Sequence, residues 1–207
     1  DVPGAAWAAC ERELTWNEAG EVFPAAILAW ESHQPERIET AKRAATQSHN
    51  HFRALVSSLG WQTDDQAQPQ MDRLLASDQP FDRRLGIAAC AVRRRDPGER
   101  LARAIAGSDA LLQARALRAV GELARLDLLP AANHSIDSPH LEVRSAAAWS
   151  VARLTDDEAA TQVLQAAAES QTQDAARCLQ LLLHRMQPES AAKWLNELAQ
   201  KNGTFVR

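Results

Sequence analysis

The segment Leu112-Gln113-Ala114-Arg115-Ala116-Leu117-Arg118-Ala119-Val120-Gly121-Glu122-Leu123 has a copy on either side of it. Upstream stands Phe81-Asp82-Arg83-Arg84-Leu85-Gly86-Ile87-Ala88-Ala89-Cys90-Ala91-Val92, and downstream Val143-Arg144-Ser145-Ala146-Ala147-Ala148-Trp149-Ser150-Val151-Ala152-Arg153-Leu154. Position 81 steps to 112 and 112 to 143, a period of 31 residues. Within each copy the apolar stripe falls on the first residue and on those 4, 7, 8 and 11 further on, where Ser150 is the polar exception. That spacing predicts an amphipathic helix. The ninth residue beyond the first is always small (Cys90, Gly121, Ala152), which lets a neighbouring helix come close.

The same step links Leu74, Ile105 and Ile136, which belong to a preceding helix facing the same core, so each period holds two helices. Turn signals separate them at Ser77-Asp78-Gln79-Pro80, Gly107-Ser108-Asp109 and Asp137-Ser138-Pro139. Asp is expected there as a cap for the second helix and Pro near its first turn. Weaker copies extend the pattern both ways. The chain is expected to form one array over 1–207, with pairs at about 4–31, 35–61, 65–94, 98–125, 127–154 and 156–186 and a trailing helix at 188–201. Each pair is too small to bury its own apolar face, so neighbour contacts must supply the stability. The expected fold is all-α: an α-solenoid (superhelix) of about six helix pairs.

Composition agrees with helix throughout and excludes several functions. The chain has 207 residues, 45% of them hydrophobic, with no Tyr, 4 Phe and few β-branched residues. Its net charge of -4 lacks the basic excess that phosphate neutralisation requires, so nucleic acid is not an expected partner. No apolar run reaches the roughly 18 residues that span a bilayer, so no membrane partner is expected. Cys10, Cys90 and Cys178 lie far apart without ligand spacing and read as reduced packing residues of a cytoplasmic protein. The chain opens at Asp1 without Met and runs past its last helical stretch to Arg207, which suggests a piece of something longer.

Arg115 to Leu123 and Leu141 to Leu154 resemble the short bacterial HEAT repeats first noted in phycobilin lyases. A wider order of residues is similar to a bacterial family of unknown function whose genes often lie beside type VI secretion genes. It runs through Trp16, Glu21 to Ala26, Ser58 to Trp61, Gly86 to Val92, Asp96-Pro97-Gly98, Arg118 to Leu123, Asp127 to Pro130 and Trp149-Ser150. That resemblance carries no catalytic residues. It implies a central piece of a longer protein and a link to secretion.

In solenoids of this kind the second helix of each pair lines the concave side. Off the apolar stripe stand Ile87, Ala91 and Arg94; Arg118, Glu122 and Arg125; Trp149, Arg153 and Asp156. Arg94, Arg118, Glu122, Arg125, Trp149 and Arg153 form the candidate protein-binding set, because Trp and Arg combine large contact area with directional polar groups. Trp149 has a second reading, as packing against the adjacent repeat. Arg84 and Arg115 are expected to pair with Asp78 and Asp109, and Arg93-Arg94-Arg95 to meet the C-terminus of its own helix. The six Trp residues read mostly as packing.

Chemistry-bearing motifs are absent. His49 and His51 lie on different faces of a helix without a third ligand, and His33, His134, His140 and His184 are isolated, so no metal and no cofactor are expected. There is no P-loop, dinucleotide turn or nucleophile elbow. The expected function is a non-catalytic scaffold or adaptor binding another protein or peptide, such as a type VI secretion component or effector. The alternatives are a HEAT-like enzyme, of the DNA glycosylase or chromophore lyase type, and a purely structural spacer.

Overall fold

A computed structural model of the chain describes residues 2–170 and 175–202. The last residues of the chain and the end of the sixth expected pair's connection, 171–174, lie outside them. The described residues form thirteen α-helices and three short 3-10 turns, with no strand among them, and the architecture is an all-α solenoid. Two compact units divide the chain, Asp1–Arg103 and Ala104–Arg207, and each is described by itself.

Unit 1 contains α1 (Val2–Glu13), α2 (Ala19–Ser32), α3 (Pro35–Ala44), α4 (His49–Trp61), α5 (Asp64–Ala76) and α6 (Pro80–Val92). α7 (Glu99–Ile105) carries the boundary. Local chemistry sets the helix ends. Ser48 Oγ accepts from the His51 amide at the start of α4, and Pro35 and Pro80 take the first turns of α3 and α6, where a missing N–H costs nothing. α5 packs against α6, while α2 crosses the C-terminal half of α4: Trp30 Nε1 donates to Ser58 Oγ at 2.9 Å and Phe23 meets the Trp61 ring edge-on at 6.3 Å. α4 leans on α2 more than on α3. α4 and α6 run side by side in the same direction, with Phe52 against Phe81 near their starts and Gly60 against Val92 near their ends.

Unit 2 contains α8 (Ala110–Leu123), α9 (Leu129–His134), α10 (Leu141–Leu154), α11 (Glu158–Ala168), α12 (Ala175–Arg185) and α13 (Pro188–Asn202). Asp109 and Asp157 cap α8 and α11 by accepting from the Leu112 and Ala160 amides at 2.8 and 2.7 Å. The cap expected at Asp78 and Asp137 is not formed. Gln79 and His140 hold those positions without a side-chain cap, and Asp137 is spent in the 3-10 turn Ser135–Asp137. Pro130 shortens the first helix of that pair to α9 between two 3-10 turns, yet Ile136 is buried, as are Leu74 and Ile105.

The tightest packing in unit 2 joins α8 to α10. A Cβ on Gly121 would stand 2.9 Å from the Ser150 backbone and 2.6 Å from its hydroxyl, so only glycine permits this approach. Ser150 Oγ donates to the Leu117 carbonyl at 2.7 Å and accepts from the Gly121 amide at 3.0 Å. The polar exception in the stripe is thus a fully satisfied buried bridge between helices.

The last stripe position is a correction. Val92 is 55% exposed, and Leu123 and Leu154 are only half-buried, because each closes its helix where no neighbouring turn covers it. Trp16 and Trp61, expected to pack, are 66% and 75% exposed, whereas Trp7, Trp30 and Trp149 are buried.

Candidate functional site

α8 and α10 carry the centre of the expected set. Glu122 sits one turn beyond Arg118 and two turns beyond Arg115 on α8, which puts all three carbons on one face. Arg115 Nη2 donates to Glu122 Oε2 at 2.6 Å and Arg118 Nε to Glu122 Oε1 at 3.0 Å. Arg115 therefore pairs within its own helix, not with Asp109, whose carboxylate is engaged by the Leu112 amide. Arg84, at the equivalent place in unit 1, lies over the Phe52 and Phe81 rings at 4.2 and 5.2 Å.

From α10, Trp149 enters this network. The Arg118 guanidinium lies 4.7 Å from its ring centroid and the Arg153 guanidinium 5.2 Å from it. The ring itself is only 8% exposed. Trp149 thus follows its second reading: it packs in the α8–α10 interface, and two arginines rest on its ring. Arg153 is the exposed member. Its Nε donates to the Gly121 carbonyl at 3.1 Å, which fixes the guanidinium near the C-terminal end of α8.

The electrostatics follow from depth. Burial, reinforced by the nearby Arg177 guanidinium, pushes Arg118 down to about 10, against the opposing pull of Glu122. Burial alone would raise the Glu122 carboxyl, but Arg115 and then Arg118 outweigh it and hold the group below its ordinary value. Glu122 is a structural counterion here, ionised and held from two sides.

The remaining expected residues are dispersed. Arg125 follows Ala124, whose φ of 54° turns the chain out of α8, and grips Asp127 through Nε and Nη2 at 2.8 and 2.7 Å. Arg94 belongs to unit 1, exposed, with a φ of 55°. Ile87 and Ala91, expected on the same surface ladder, are buried at 1% and 5% exposure, since the helix is covered on that side as well.

Arg93 corrects the reading of the basic run. Its Nη1 donates to the carbonyls of Leu59, Gly60 and Gln62 at 3.1, 3.2 and 2.8 Å, and Nη2 to Asp64. The cation serves the end of α4, a different helix from its own, where orphan carbonyls are concentrated. Arg185, which the sequence did not single out, does the same at the end of α10. It bonds the Ala152 and Thr155 carbonyls and pairs with Asp156 at 2.7 Å. The available signal was an Arg close to the ends of three second helices, at 93, 153 and 185.

His51 is buried with Nδ1 2.6 Å from Ser48 Oγ, and no group of metal-ligating side chains occurs among the described residues. Burial pushes the Cys90 thiol up to about 11, which leaves it protonated and inert at neutral pH. No helix among the described residues is long and apolar enough to cross a membrane.

No curated protein and no solved structure matches the chain. Residues 99–180, which include α8, α10 and the whole Arg115–Arg118–Glu122–Trp149–Arg153 network, match a family described as HEAT repeats.

Proposed function

We propose that this protein is a non-catalytic scaffold or adaptor, and that the α8–α10 face of unit 2 is its docking site for another protein. HEAT repeats often bind proteins. The observation that carries the reading is Trp149 contacted by the guanidinium groups of both Arg118 and Arg153, with Arg153 exposed. Aromatic and arginine side chains whose rotamers are already fixed lose little entropy on binding, which is how interface anchors work. The resemblance to a family encoded beside type VI secretion genes makes a secretion component or effector in the bacterial cytoplasm the first partner to try.

The test is affinity capture with the intact chain, followed by a binding isotherm with the purified captured protein. Arg153→Glu reverses the exposed charge, and Ala146→Arg adds bulk one turn before Trp149 on α10. Both variants are expected to weaken binding at least about tenfold, the cost of one lost charge-assisted contact, with helix content unchanged by circular dichroism. Equal binding by wild type and both variants sinks the reading. Retardation of a DNA duplex at low salt would favour the glycosylase-like alternative instead.

A further inference from the structure

Three arginines bridge the ends of successive second helices, and two of them share a full pattern that the third lacks. Arg93 donates to the Gly60 carbonyl and pairs with Asp64, four residues past that acceptor. Arg185 donates to the Ala152 carbonyl and pairs with Asp156, again four residues past it. Arg153 donates to the Gly121 carbonyl through Nε where Arg93 and Arg185 use Nη1, and four residues past Gly121 the chain has Arg125, whose side chain is turned to Asp127. Among the described residues Arg153 has no ion pair. Its Nε bond and its contact with Trp149 orient the guanidinium of this exposed residue.

We propose that Arg153 receives a carboxylate of the partner protein, an Asp or Glu side chain standing where Asp64 and Asp156 stand at the other two bridges. The inference rests on the docking face proposed above. Charge complementarity favours an acidic occupant: the exposed Arg153 shares the Trp149 ring with Arg118, a second guanidinium. A planar carboxylate matches the guanidinium fork in two parallel hydrogen bonds, and a fork that is held in place before binding loses less freedom on closing.

The experiment follows the Arg153 Nε–H resonance by NMR in the intact protein, with end-blocked tetraglutamate as probe and tetraglutamine and inorganic phosphate as controls. Tetraglutamate is expected to shift the resonance saturably, and Arg153→Gln to weaken its binding about tenfold. Arg125→Asp supplies the missing carboxylate within the chain. It is expected to weaken tetraglutamate binding by a similar factor. Unchanged tetraglutamate affinity in both variants overturns the proposal, as does a response to phosphate with none to tetraglutamate. If the captured partner binds Arg153→Gln and Arg125→Asp normally but not Ala146→Arg, the carboxylate role falls while the docking face stands. If it binds all three normally, both fall.

Discussion

Helix α6 in unit 1 and helix α8 in unit 2 share one register and fill it differently. Ile87 and Ala91 occupy the places that Arg118 and Glu122 occupy 31 residues later, and Arg84 the place of Arg115. In α6 the positions are closed by aliphatic packing and Arg84 is left to cover the Phe52 and Phe81 rings. In α8 the same register positions are filled by an ion network whose Arg118 lies over the Trp149 ring. The repeat therefore fixes which helix face a side chain takes but neither its polarity nor its exposure: Ala91, Glu122 and Arg153 share one register and are buried, half-buried and exposed. A partly buried ion network is a poor source of stability compared with apolar packing, so its presence in α8 at positions that α6 fills with aliphatic side chains points to a task other than holding the helices together.

The sharpest way to break this contrast is to remove the counterion. Glu122→Ala leaves two largely buried guanidinium groups facing each other and is expected to cost about 3 kcal/mol or more in denaturant unfolding. A loss under about 1 kcal/mol would mean that water already carries those charges and that the two units do not differ in kind. The pH dependence sharpens the same point. Because the folded Glu122 carboxyl lies below its ordinary value of 4.5, its contribution is complete above that pH and disappears as the pH falls through the folded value. The stability gap between wild type and Glu122→Gln is expected to narrow on acidification and never to widen.

A second comparison concerns the two close approaches. Gly121→Ala would drive a methyl group into the Ser150 backbone and is expected to cost about 2–3 kcal/mol. Gly60→Ala meets only the tip of Val92, a half-exposed side chain that can turn away, so the gain in helix propensity of about 1 kcal/mol roughly cancels the crowding. Thermal unfolding of the pair separates these outcomes, and equal losses would show that both helix contacts are rigid. The arginine bridges give a third contrast. Arg93→Gln breaks three carbonyl contacts and an ion pair and is expected to cost about 2 kcal/mol, whereas Arg153→Gln breaks one and is expected to cost under about 1 kcal/mol. A larger loss at Arg153 than at Arg93 would mark Arg153 as a stability residue first.

Much of the fold is local chemistry and so is visible in the residues themselves. The stripe from Leu112 to Val120, the small residue at Gly121, and the turn signals at Pro80 and Asp109 dictate helices and their ends through backbone geometry within a few residues. The site is visible only in part. Arg118, Glu122, Trp149 and Arg153 stand out by type, but their sequence spacing is equally consistent with an exposed ladder.

What the chain alone determined is the period, the helical class and the placement of two charged copies among apolar ones, because each follows from side chains three, four and 31 residues apart. What tertiary structure alone decided is which charge meets which. Trp149 became a buried platform because Gly121 lets α10 close onto α8, and Arg93 and Arg153 turned to neighbouring helices because orphan carbonyls gather there. Ion pairing and carbonyl capture depend on the distance between helices, and no spacing along one helix contains that distance.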